Sequence, residues 1–210
     1  ISKDGCKLIR ADDLAGMKNY DVVETLKQRF GSHVGVFSIG PAGEMKMAAA
    51  TIAVTDSDGH PARHASRGGL GAVMGAKGLK AVVIDDLDAP KIRMHDVTAF
   101  RRTVKKLVEV IKSDRTTPML LSSLGTPGFL PVTNQIGSMP TENYRAGSFA
   151  SFASLAGEAI KEKNIKRGGK MHGCMPGCVV QCSVAYNDEA GNYLTSGLEH
   201  ETIAKLGADV

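Results

Sequence analysis

Three of the chain's four cysteines, Cys174, Cys178 and Cys182, fall within nine residues in the pattern C-x3-C-x3-C. Thiolates are soft ligands that select zinc or iron–sulfur clusters, and three of them leave one iron of a four-iron cluster for a ligand from elsewhere. Pro176 lacks an N–H and Gly177 admits unusual dihedrals, so the stretch is expected to be a loop around a compact cubane rather than a helix. Backbone amides of such a loop can donate to cluster sulfides and tune the potential.

Other chemistries fit this spacing less well. A disulfide with a spare thiol, or buried inert thiols, would be ordinary in an even-cysteine secreted chain. Zinc favours paired C-x2-C knuckles with a clear fourth ligand. The radical-SAM pattern C-x3-C-x2-C is one residue shorter in its second gap. The fourth cysteine, Cys6, stands alone and is expected to be a buried, inert thiol.

A second chemical signal is Arg67-Gly68-Gly69-Leu70-Gly71, followed by a helix-like run. A guanidinium beside the amides of a glycine-rich turn suits a phosphate or pyrophosphate. Gly69, Gly71 and Gly75 also spell G-x-G-x3-G, but a dinucleotide loop must follow a buried strand. Here His60 to Ser66 is polar and contains Pro61, so NAD(P) is rejected. The plainer use of these glycines is close helix packing.

The elements that must position these two loops follow from pattern. Residues 1–10 predict a turn at Asp4-Gly5 and a short strand. Asp21 to Phe30 reads as a helix closed by Gly31, with Val22, Val23, Leu26 and Phe30 on its core face. Strands are expected over 33–39 and 79–84, with a turn at Asp56 to Gly59. The acidic stretch Asp85 to Pro90 marks a domain boundary. Beyond it, 96–113 is an amphipathic helix capped by Asp96, with Val97, Phe100, Val104, Leu107, Val108 and Ile111 at helical spacing. Residues 125–148 are rich in turn formers, and long irregular segments in compact proteins are usually functional. Short helices are expected around 151–163 and 198–206, with a turn at Asp188 to Gly191.

Composition narrows the class. At 210 residues, with 42% hydrophobic and 23% charged residues, the chain suits one good core or two small ones. A net charge of +4 and 5% aromatics argue against nucleic acid, and no apolar run approaches the length of a membrane span. Four cysteines without secretory features favour a reducing, cytoplasmic setting. The chain begins at Ile1 and reads as an internal fragment of a longer protein.

With both motifs placed, the chain resembles the aldehyde ferredoxin oxidoreductase family along essentially its whole length. RGGLGAVMGAKGLKAVVI at 67–84 is similar to the family's pterin-phosphate loop, and GTPGFLPVTNQIGSMPTENYRAGSF at 125–149 to its G-x-x-P-T-x-N segment. The cysteine loop and Gly197-Leu198-Glu199-His200-Glu201-Thr202, similar to G-P-E-Y-E-T, complete the match. The resemblance implies a tungstopterin (or molybdopterin) bis-pterin centre beside a [4Fe–4S] cluster. Arg67, Gly68, Leu70 and Gly71 would contact pterin phosphates, and Cys174, Cys178 and Cys182 would ligate three irons. Glu199 would be the carboxylate near the metal, accepting or orienting a proton. His200 replaces a tyrosine, and a structural role is expected for it. His172 is expected to cap the cysteine loop.

The implied fold is α+β: residues 1–88 complete a β-sheet-based pterin-binding domain, mostly strand, and 89–210 begin a mainly helical domain. The implied reaction is oxidation of an aldehyde to a carboxylate, with electrons passing through the cluster to ferredoxin and a homodimer as one assembly. A thioester reductase of the same cofactor class and a cluster-only electron carrier are the alternatives; the glycine loop argues against the carrier. The first cysteine gap is one residue longer than the family's C-x2-C-x3-C, a subfamily variant. The fourth cluster cysteine and further pterin segments would lie outside this chain, which alone is expected to be inactive.

Overall fold

A computed structural model describes residues 1–208. The chain forms two compact units, Ile1–Arg93 and Met94–Val210. Both mix helices with antiparallel sheet, as an α+β chain should.

In the first unit, α1 (Asn19–Phe30) ends where Gly31 takes φ 104. It buries Val22, Val23 and Leu26 against Leu14, Val34 and Val36. Phe30, expected on that face, is 41% exposed because it lies in the last turn, beyond the core. The sheet has the order β3-β2-β1-β4, with β1 (Gly35–Ser38) central, β2 (Ile52–Val54), β3 (Arg63–Ala65) and β4 (Ala81–Ile84). β1 pairs antiparallel with both β2 and β4, matching Phe37 to Val54 on one side and to Val82 on the other. Two short helices, α2 (Pro41–Glu44) and α3 (Leu70–Ala76), pack through glycines.

Three expectations for this unit need correction. Residues 6–10 form no strand; the turn at Asp4-Gly5 closes only an isolated bridge between Ser2 and Gly5. Cys6 is exposed rather than buried. Residues 1–88 are not mostly strand, because the sheet is built of three- and four-residue strands while α1 alone has twelve residues. The alanine- and glycine-rich sequence between strands makes compact helices and turns.

The second unit opens with α4 (Val97–Ser113), capped as expected by the Asp96 carboxylate accepting from the Ala99 amide at 2.8 Å. It has no buried residue: Val97, Phe100, Val104 and Leu107 are all exposed. A π-helical turn (Thr117–Leu121) leads to α5 (Ser122–Leu124), a 3-10 turn (Thr126–Phe129) and α6 (Leu130–Gln135). The segment 125–148, expected to be irregular, is thus helical at its start; Pro127 and Pro131 occupy helix-opening positions, where proline is tolerated. Next comes α7 (Gly157–Lys166), which starts six residues after the expected 151 and ends three beyond the expected 163. Then follow β5 (Lys170–His172), β6 (Ser183–Asn187), β7 (Tyr193–Ser196) and α8 (His200–Ala208). Its core gathers Leu130, Met139, Ala204 and Ala208. Among the described residues no helix is long and apolar enough to cross a membrane.

Candidate cluster and cofactor loops

The three-stranded sheet explains how the cysteines meet. β5 and β6 pair antiparallel with His172 opposite Ser183, so residues 173–182 form the hairpin loop between them. Cys174 and Cys182 lie near the two ends of that loop, and Cys178 at its middle. His172 is buried at the end of β5, directly before the loop. Inside the loop Gly177 takes φ 78, and Gln181, not a glycine, takes φ 49. That left-handed turn aims the Gln181 amide at Cys178 Sγ, 3.4 Å away. The Cys178 amide donates back to the Met175 carbonyl at 3.2 Å.

All three thiols are free, with Cys174 exposed and the other two half-buried. The Gln181 amide, with those of Val180 and Cys174, holds the Cys178 thiol below its ordinary value against the opposing effect of burial. Burial, then the Glu199 carboxylate and the Cys178 and Cys174 sulfurs, push the Cys182 thiol up. The three sulfurs and Glu199 therefore share one electrostatic neighbourhood. Among the described residues no three His, Cys, Asp or Glu side chains stand ready for a single metal ion. A cubane takes one thiolate per iron, so its ligands do not have to meet at one point. A soft donor set of three free thiols, one of them receiving a backbone amide at its sulfur, fits such a cluster.

Glu199 reaches this neighbourhood through the second hairpin. β6 and β7 pair with Ala185 opposite Ser196, and Gly197, at φ 78, donates its amide to the Val184 carbonyl at 3.1 Å. Leu198 and Glu199 follow, and α8 starts at His200. The Thr126 hydroxyl donates to Glu199 Oε2 at 2.6 Å. The Tyr186 hydroxyl donates to the Leu198 carbonyl at 3.3 Å. Burial and the nearby Glu199 charge push the Tyr186 phenol up to about 12, so it stays protonated at any working pH. His200 Nδ1 lies 3.0 Å from Glu201, a surface pair. Neither Thr126 nor Tyr186 carried a role in the sequence. Their contacts to residues 198–200 span 12 to 74 positions; Thr126 lies in the segment 125–149 singled out above, but nothing in that pattern points to Glu199.

The glycine loop is built differently. Gly68 takes φ 86 and Gly69 φ 65, conformations that side chains disfavour. A Cβ on Gly68 would meet nothing within 4 Å, and Arg67 beside it is exposed. Leu70, the first residue of α3, is 45% exposed. Gly71 is buried: its amide donates to the Ala50 carbonyl at 3.0 Å, and an added Cβ would lie 2.5 Å from the Thr51 oxygen. An exposed guanidinium next to open space over a left-handed glycine fits an anionic group of a cofactor. Gly71 shapes that turn by letting the backbones touch.

Known proteins match both units of the chain. The family model "Aldehyde ferredoxin oxidoreductase, N-terminal domain" matches residues 1–86, and "Aldehyde ferredoxin oxidoreductase, domains 2 & 3" matches residues 102–210. The chain is similar to the tungsten-containing aldehyde ferredoxin oxidoreductases of Pyrococcus abyssi, at 34% identity, and Pyrococcus furiosus, at 31%. Each alignment covers 100% of this chain and 33% of the relative, so the chain spans about a third of the length of the curated relatives it matches. Among solved structures, the active site complex BamBC of benzoyl coenzyme A reductase with 1,5 dienoyl-CoA has a similar fold. Its TM-score is 0.64 at 23% identity, covering 93% of this chain and 30% of that one. With family matches running through both units, this chain belongs to the aldehyde ferredoxin oxidoreductase family.

Proposed function

We propose that the full protein oxidises an aldehyde to a carboxylate and passes the electrons to ferredoxin or a similar iron–sulfur acceptor. The overall change is RCHO + H2O to RCOOH, two protons and two electrons. The observation that carries this is a carboxylate, Glu199, held in the electrostatic neighbourhood of three free thiols on one hairpin loop. When bound, a tungsten or molybdenum bis-pterin centre supplies the two-electron chemistry and a [4Fe–4S] cluster the one-electron relay.

The chain's own residues divide the work. Cys174, Cys178 and Cys182 ligate three irons. Arg67, Gly68 and Leu70 face the cofactor's phosphates, and Gly71 forms their turn. Glu199 orients the water or hydrated aldehyde and accepts its proton, as a general base within reach of the substrate does. Tyr186, protonated throughout the working range, keeps the backbone before Glu199 in place. In this division residues 1–88 end the pterin-binding domain and 89–210 begin the helical domain. We assign the protein to the cytoplasm, where thiols stay reduced for cluster assembly.

The test is metal analysis and turnover of the full-length protein. Tungsten or molybdenum with about four irons per chain, by the ligand logic of a cubane, together with aldehyde-dependent reduction of a low-potential dye, is the expected result. Zinc alone, or turnover only of a thioester, would discard the proposal.

A further inference from the structure

One short segment reaches both the cysteine loop and the carboxylate. Ser122 Oγ donates to the Val180 carbonyl inside the loop at 2.5 Å. Gly125, at φ 71, brings its backbone so close to Cys182 that an added Cβ would lie 2.7 Å from the Cys182 oxygen. Thr126, next in the chain, touches Glu199 and the first residue of α8 at once. Its Oγ1 lies 2.6 Å from Glu199 Oε2 and 3.0 Å from the His200 amide nitrogen.

The donor and acceptor roles in that pair of contacts are unambiguous. A backbone amide only donates, so the Thr126 oxygen accepts from His200. A carboxylate only accepts, so the single hydroxyl proton points at Glu199. A charge-assisted bond of this kind is among the stronger neutral-to-ion contacts, and a β-branched threonine has few side-chain rotamers in which to lose it. An ordinary helix cap uses only the lone pair on the amide. Here the proton is also committed, and to the group that the proposed mechanism uses.

We infer that Thr126 is a positioning residue: its hydroxyl, bridging the start of α8 and the Glu199 carboxylate, sets the direction of that carboxylate beside the cysteine loop. The inference rests on the role of Glu199 given under Proposed function. Ser122 and Gly125 hold the same segment against the loop, so one piece of chain, 58 positions upstream of Val180 and 73 upstream of Glu199, touches both the thiol loop and the carboxylate.

The experiment compares T126V, T126S, E199Q and the T126V/E199Q double variant in the full-length, cofactor-loaded protein. T126V should lower kcat by about 10- to 100-fold, the scale of a misplaced catalytic group, with KM within about twofold and metal content unchanged. T126S should recover kcat to within about threefold, since the hydroxyl returns. In the E199Q background, T126V should cause no further loss. Wild-type kcat in T126V with impaired E199Q would overturn the inference and leave the Glu199 role standing. Wild-type kcat in E199Q would overturn both. Loss of iron in T126V, an equal loss in T126S, or an undiminished effect of T126V in the E199Q background would assign the hydroxyl to the fold alone and overturn the inference.

Discussion

The glycine loop of the first unit and the cysteine loop of the second solve opposite problems. The glycine loop is fixed by backbone pressed on backbone. Cβ atoms added at Gly69, Gly71 and Gly75 would lie 2.5 Å or less from the carbonyl oxygens of Ala48, Thr51 and Gly43. The cysteine loop is held by a handful of hydrogen bonds, from Ser122 to Val180, Cys178 to Met175 and Gln181 to Cys178, and most of it is exposed. The first is held by its own backbone contacts. In the second, the cluster proposed above would add cross-links through the three thiols, as metal sites commonly do.

The sharpest way to break this contrast is at Gly75. Its missing Cβ would stand 1.9 Å from the Gly43 oxygen, and neither backbone can yield without parting α2 from α3. Gly75→Ala should cost about 3 kcal/mol, the top of the usual range for forced overpacking. Thermal unfolding of the full-length protein would show it; an unchanged midpoint would mean the two helices slide freely. The cysteine loop should instead respond to metal. Removing bound iron, if the proposed cluster forms, should speed amide exchange across 174–181 by at least about tenfold, while the Gly71 amide stays protected by its bond to Ala50. Equal protection in both loops after metal removal would contradict the comparison.

A smaller effect is expected at the seat of α2. Glu44 pairs with the buried Lys80 ammonium and accepts from the Gly16 amide at 2.9 Å, while Lys80 also donates to the Met17 carbonyl at 3.0 Å. The Lys80 partner, with help from Gly16 and against burial, holds the Glu44 carboxyl below the usual range. Glu44→Gln leaves a buried ammonium without its counter-charge and should cost about 2 kcal/mol, below the range for a fully enclosed pair because Glu44 is 28% exposed. A depressed folded-state pKa stabilises fully above the unfolded value of about 4.3 and is lost as pH falls through the lower folded value. The penalty of the substitution should therefore shrink on acidification below about pH 4. A penalty independent of pH, in denaturant titrations at two pH values, would assign it to packing instead.

The smallest effect is expected at Gly68, where alanine meets open space but must hold φ 86. Gly68→Ala should cost only about 1 kcal/mol of conformational strain. Its cofactor content should fall by more than its stability, if the open space is where a phosphate rests. A loss of stability as large as that of Gly75→Ala would erase the distinction between the two glycines.

What could be read from the sequence followed local rules. The helix expected from Asp21 to Phe30 (observed from Asn19) and its Gly31 stop, the Asp96 cap and the central strand after His33 all depend on neighbours in sequence, and all formed. Where reading failed, tertiary contacts had intervened. The apolar stripe of α4 predicts a buried face, yet no residue of that helix is buried in this chain. Residues 6–10 have strand-like composition, but no neighbouring strand offers them a ladder. His172 looked like a loop residue beside the cysteines until the β5–β6 register placed it within a sheet.

The sequence by itself determined the groups on offer to a ligand, three thiols at intervals of four and an arginine before paired glycines, and the family the chain belongs to. Those are matters of residue type and spacing, which no fold can change. Only the tertiary structure decided which glycines face open space and which are spent on packing, and which side chains stand around Glu199. Thr126 and Tyr186 come to it from 73 and 13 positions upstream through a turn and a hairpin, and short-range pattern carries no record of a contact made at that distance.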